Sequence, residues 1–212
     1  MKALRIFGKF LISVGVGVLL FVAWTLWGTG LYTSQQQTAL AQEFDQLPAV
    51  EPDPDDPKPT GPASLPGPGD PAFRLRIPSI DLQQIVVEGV GTEDLKKGPG
   101  HYPSCRAGFE RPLCTEFEEV WPGQEGRVIV SGHRTTYGAP FWDLDKLQKG
   151  DEIITDTKWG TYTYEVTEKR IVQPDSLAIA IQSDAAEIVL TTCNPKYSAA
   201  QRLIVFGRLI RT

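Results

Sequence analysis

Cys193 follows the apolar run EIVLTT and precedes Asn194-Pro195, which marks the end of a strand where the chain breaks into a loop. A thiol at such a rim is partly exposed and can act as a nucleophile; packed into an interior it would be one more small hydrophobe. His133 stands in the matching situation. The run GRVIVSG ends at Gly132, and His133 and Arg134 open the polar loop TTYGAP. A lone histidine is most often solvated or structural, but if the two strands are neighbours the imidazole reaches the thiol, the pair that attacks a carbonyl carbon. Arg202 lies nine residues after Cys193, at the start of the run RLIVFGRLI. If Cys193 closes one strand and Arg202 opens its antiparallel partner, a guanidinium sits beside the thiol, where it can stabilise the oxyanion of a tetrahedral acyl intermediate. The alternative for Arg202 is a solvated strand-end charge. Papain-like enzymes place cysteine before histidine in the chain, and the caspase signature around the nucleophile is missing, so neither template fits.

The remaining histidine and cysteines read differently. His101 lies in the turn-rich GPGHYP and is assigned no catalytic role. Cys105 and Cys114 fall within one loop-like segment, SCRAGFERPLC. Outside a membrane such thiols form a disulfide closing a small loop, for about 3 kcal/mol or less; free thiols are the alternative. No further Cys or His cluster completes a metal ligand set. No cofactor is called for, and no dense acidic cluster in the domain forces a metal site.

The elements that must hold these groups are mostly strands. FRLRIPSI, QIVVEGV, GRVIVSGH, DEIITDT, TYTYEVTEKRIV, AEIVLTTC and RLIVFGRLI are short β-branched or alternating runs between Pro, Gly and Asp. Their number and spacing predict a closed barrel or a sandwich over 72–212. EDLKKG and FWDLDKLQKG predict brief helices. There is no internal repeat and no glycine-rich phosphate loop.

The strand-end histidine in SGHRTTYGAPF, the LTTC strand and the arginine in QRLIVF, in that order, resemble the sortases of Gram-positive bacteria. The resemblance begins at RIPSI and VVEGVGTEDLKKGPGHYP and covers about 140 residues. HRTTYGAPF followed by TTCNPKYSAAQR is most similar to class E, the actinobacterial housekeeping type. The resemblance implies an eight-stranded β-barrel and a membrane-anchored cysteine transpeptidase without a cofactor. Such an enzyme cuts an LPxTG or LAxTG sorting signal between Thr and Gly and passes the acyl group to an amine of a cell-wall precursor. It implies Cys193 as nucleophile, His133 as general acid and base, and Arg202 as donor to the substrate carbonyl and oxyanion. Thr192 matches the family's threonine beside the cysteine, and Tyr137 a class E tyrosine that favours alanine over proline in the signal. Three features depart from the family pattern. Val189 stands where the family has threonine and is expected to face the core; Asn194 replaces a common histidine; and the Cys105 to Cys114 segment looks like an insertion edging the site. A class D or pilin-polymerising sortase is the nearest alternative, and a non-enzymatic surface β-barrel binding domain with Cys193 buried is another.

The formal charge of -5 argues against nucleic-acid binding, which needs a basic stripe. Splitting the chain uncovers no basic domain: residues 1–72 carry four Lys/Arg against seven Asp/Glu, leaving 17 against 19 for 73–212. Phe10 to Trp27 holds no ionisable residue, and its 18 positions, at about 1.5 Å each, just cross a hydrocarbon core. Lys2, Arg5 and Lys9 precede it and Glu43 and Asp45 follow. The positive-inside bias therefore puts residues 1–9 in the cytoplasm, a single-pass anchor at 10–27 in the plasma membrane, and the rest outside. Trp24, Trp27 and Tyr32 fit an interfacial belt on the outer side. A cleavable signal peptide is the rival, with Ala39-Leu40-Ala41 as its small-x-small site. That site lies about a dozen residues beyond the apolar run, whereas a signal peptide keeps its cleavage site close behind a shorter one, so a retained anchor is the preferred reading. Residues 28–71, rich in proline from Pro48 onward, predict an extended, disordered spacer that could hold the domain up to about 130 Å from the bilayer.

Overall fold

The computed structural model describes residues 2–51, 61–176 and 183–212. Eight strands, β1 (Pro71–Ile77), β2 (Leu82–Glu88), β3 (Gly100–His101), β4 (Gly126–Ser131), β5 (Glu152–Asp156), β6 (Thr161–Val172), β7 (Ala186–Asn194) and β8 (Gln201–Arg211), close into a barrel. Around it the strands run β1-β2-β3-β4-β7-β8-β6-β5. The β2–β3 and β4–β7 joints are parallel and the others antiparallel. Alternation sends Phe73, Leu75 and Ile77 of β1, Val128 and Val130 of β4, Ile188 and Leu190 of β7, and Leu203 and Val205 of β8 into the barrel. Burial of each such side chain stabilises the fold by about 1.5–3 kcal/mol. The intervening residues Ile129, Val189, Ile204 and Phe206 form a second apolar layer outside the barrel wall, with Tyr102 and Val172 packed on it. Val189 is thus fully buried, but in this outer layer rather than in the barrel interior where the sequence suggested it. It shares the face of Cys193, two pleats further on.

The two brief helices correspond to α3 (Thr92–Lys97), whose start is capped by the Asp94 carboxylate accepting the Gly91 N–H at 3.1 Å, and a 3-10 turn at Leu144–Lys146. Strand β3 escaped the sequence because two residues carry no periodicity; it bridges Val87 to Val130 through Gly100 and His101.

The N-terminal region departs most from expectation. Helix α1 (Lys2–Ala23) passes through a π-helical turn at Trp24–Gly28 into α2 (Thr29–Gln46), so the helix runs on where an extended spacer was expected. The stretch Leu4–Ala23 is long and apolar enough to cross a membrane. Helix α2 is polar overall, yet Thr33, Gln37, Leu40 and Phe44 recur at helical spacing on one face, and that face lies on the barrel. Leu40 and Phe44 pack on Ile85 and Val87. The Gln37 amide donates to the carbonyls of Ile85 and Lys97, both at 2.9 Å, and its oxygen accepts the Ile85 N–H at 2.7 Å. One side chain therefore satisfies an open stretch of the β2 edge. Asp45 pairs with Arg74 at 2.9 Å, and Arg74 and Lys158 lie over the Phe44 ring. The centre of the proline-rich segment, 52–60, lies outside the described residues.

Candidate active site

The parallel β4–β7 ladder carries the register Ser131↔Thr191 to the barrel rim. Beyond it the Gly132 N–H donates to the Thr191 carbonyl at 3.1 Å, and the Thr192 hydroxyl donates to the Gly132 carbonyl at 2.7 Å. His133 follows directly on Gly132 and lines the same groove as Cys193. On the other side of β7, the antiparallel pairing places Cys193 opposite Arg202. Gly132 is required here, since a Cβ at that position would come within 2.6 Å of the Phe141 ring. His133, Cys193 and Arg202 open into one groove of about 870 Å3, with Thr191 and Thr192 beside them and Ile129 and Ile204 of the outer apolar layer along it.

Cys193 is a half-buried free thiol. His133 is half-buried too, and burial pushes its imidazole below the ordinary histidine range, favouring the neutral ring. Its Nε2 has no hydrogen-bond partner among the described residues, and its ring lies 5.1 Å from that of Tyr137. The Arg202 Nη1 donates to the carbonyls of Ala199 at 3.0 Å and Gln201 at 3.1 Å, holding the guanidinium against the β7–β8 turn. Thr192 is buried on the inward pleat and fastens the two strand ends together. Arg134, which the sequence left as a loop charge, is buried: its Nη1 donates to the Cys193 carbonyl at 3.2 Å and its Nε to the Trp142 carbonyl at 3.2 Å, while Nη2 pairs with Asp145 at 2.9 Å.

A sortase-domain family model matches residues 75–210. The chain belongs to the sortase family. Sortase D of Bacillus subtilis is 33% identical over 140 residues, 64% of this chain and 62% of that protein. Sortase SrtE1 of Streptomyces coelicolor is 28% identical over 222 aligned positions, 98% of this chain and 57% of that protein. The chain thus spans less than two thirds of the length of these two relatives. A crystal structure of sortase E1 from Streptomyces coelicolor with a tripeptide in the active site superposes with a TM-score of 0.58 at 26% identity, covering 69% of this chain and 92% of that one.

In this sortase one groove wall is a disulfide loop. Cys105 and Cys114 are bonded, and residues from Arg111 to Phe117 line the groove. The loop is fastened at several points. The Tyr102 hydroxyl donates to the Pro112 carbonyl at 2.7 Å, Arg111 pairs with Glu116, and Arg106 donates to Glu88 and Glu119, each at 3.2 Å.

Arg106 belongs to a buried ionic network with Glu88, His101 and Glu119. The ligand atoms of the last three lie within 4.8 Å of one another, the kind of donor set that can hold a metal ion. Those atoms are engaged already. The His101 Nε2–H donates to the Val120 carbonyl at 3.1 Å, Nδ1 shares a proton with Glu88 at 2.8 Å, and the Arg106 guanidinium supplies the cation between the carboxylates. Burial lifts the Glu88 carboxyl to about 7 against the attraction of His101. Burial opposes the charge on His101, yet the Glu88 carboxylate outweighs it and holds the imidazole above its ordinary value. His101 is therefore structural, coupling β2 and β3 to the disulfide loop.

Proposed function

We propose that this sortase is a membrane-anchored cysteine transpeptidase of class E type, acting on LAxTG or LPxTG sorting signals. The Cys193 sulfur, its proton passed to His133, attacks the carbonyl carbon of the signal's threonine. Arg202 donates to the oxygen as it becomes an oxyanion. The Thr–Gly C–N bond then breaks, His133 returns the proton to the leaving glycine amine, and a thioester remains on Cys193. An incoming amine attacks the thioester, gives its proton to His133 and expels the thiolate, forming a new amide. The amine of a lipid II-type peptidoglycan precursor fits this role, and surface proteins bearing the sorting signal supply the acyl group. Thr192 holds the nucleophile's strand end, and Tyr137 borders the position that discriminates alanine from proline.

The observation that carries this reading is that imidazole, thiol and guanidinium line one groove, with Arg202 opposite Cys193 on the paired strand. The tripeptide bound in the related sortase E1 structure supports a peptide ligand, and the match of SrtE1 along 98% of this chain supports class E. The apolar helix, preceded and entered by basic residues, supports a retained anchor with a cytoplasmic N-terminus.

The test is mass spectrometry of the full chain incubated with LAETG-containing or LPETG-containing peptide, with and without hydroxylamine. A Cys193-linked acyl adduct and a threonine hydroxamate are expected. Intact peptides of both kinds beside folded protein would overturn the proposal.

A further inference from the structure

Three consecutive residues in the loop after His133 hold left-handed backbone: Tyr137 at φ 51, Gly138 at φ 71 and Ala139 at φ 43. Two of them carry a Cβ, for which this region is costly, so the loop keeps its shape where its surroundings impose it. Part of the support is internal, since Ala139 donates to the Thr136 carbonyl and Trp142 to the Ala139 carbonyl, both at 2.9 Å. The external support is helix α2. The Tyr137 N–H donates to the Thr29 hydroxyl oxygen at 3.1 Å. That hydroxyl donates in turn to the Thr25 carbonyl at 3.0 Å, which turns its lone pairs toward the loop. Thr33, anchored through its hydroxyl to the Lys96 carbonyl at 2.8 Å, packs against Gly138, where a Cβ would lie 3.3 Å from its methyl. The Tyr137 ring then lies against His133. A continuous path of contacts leads from the helix to the imidazole.

We propose that Thr29 is a positioning residue: the first turn of α2 braces the left-handed loop and, through Tyr137, fixes the His133 ring for proton transfer. This rests on His133 being the acid and base. Thr29 stands six residues after Ala23, roughly 9 Å along the helix from the end of the apolar stretch. The segment that enters the membrane and the segment that braces the site are thus parts of one helical run.

The test uses the full chain in lipid nanodiscs as wild type, Thr29→Val and Thr29→Ser. Hydrogen exchange of the Tyr137 amide reports the brace, and peptide turnover reports its catalytic effect. Thr29→Val keeps the side-chain shape but removes the acceptor, so Tyr137 exchange should accelerate about tenfold. It should also lower kcat more than it raises KM, and Thr29→Ser, which restores the hydroxyl, should return both toward wild type. Unchanged exchange in Thr29→Val would overturn the brace. Faster exchange with unaltered kcat, or a kcat loss that serine does not rescue, would overturn the positioning role. A wild type that never forms the acyl adduct would instead sink the transpeptidase reading, while the exchange comparison still decides whether the brace exists.

Discussion

Among single residues, Cys193→Ala should leave the fold intact and abolish the acyl adduct, because no other free thiol exists in the chain. Arg202→Lys should lower kcat/KM on the order of a hundredfold in peptide assays, since a point charge cannot reproduce the planar fork at a developing oxyanion. Arg134→Gln is more informative. Its buried guanidinium ties the Cys193 carbonyl to the histidine loop, so the variant should lose turnover while the Cys193 thiol becomes more readily alkylated. Thiol labelling beside kinetics would check this. That His133, Cys193 and Arg202 line one groove was legible in the sequence because His133 and Cys193 each close an apolar run and Arg202 opens one. Arg134 was not, because a cation one residue past a strand end looks the same whether it is solvated or folded back onto a carbonyl 59 positions away.

Between elements, the disulfide loop and the network behind it make separable predictions. Replacing Cys105 and Cys114 by serine should cost about 3 kcal/mol or less in denaturant unfolding. It should raise KM more than it lowers kcat, since the loop walls the groove without holding the catalytic groups. The Glu88–His101 pair makes stability pH-dependent. Both groups are raised in the fold, Glu88 from 4.5 to about 7 and His101 from 6.5 upward, so the folded protein binds more protons than the unfolded chain. Their contribution is complete below the unfolded values and is lost as pH rises through the folded ones. Thermal unfolding of wild type should therefore show a contribution that declines as pH rises from about 4.5 through 7, with His101 carrying the decline on above 6.5, and Glu88→Gln should flatten that slope. Seven of the eight strands could be read from alternation, as could both short helices. The two-residue β3 could not, and α2 was hidden because its docking face mixes two apolar residues with Thr33 and Gln37, whose role is to hydrogen-bond a strand edge.

For the molecule as a whole, α2 docks residues 29–46 on the barrel where the sequence suggested the first part of an extended spacer. Burial of Leu40 and Phe44 stabilises the docked state by about 3–6 kcal/mol before ordering costs are subtracted. In nanodiscs with labelled headgroups, a fluorophore on Cys193 should therefore show strong energy transfer to the bilayer. Replacing Leu40 and Phe44 by aspartate should weaken that transfer by freeing the barrel. On the proposal that α1 lies in the bilayer, the clamping of α2 to β2 would hold the groove close above the lipid plane. An enzyme on a loose leash samples a volume, and its encounters scale with the reach of the leash. A barrel carried on a stiff stalk meets its partners by gliding within a sheet, so encounter rates follow membrane viscosity and the number of partners per unit area.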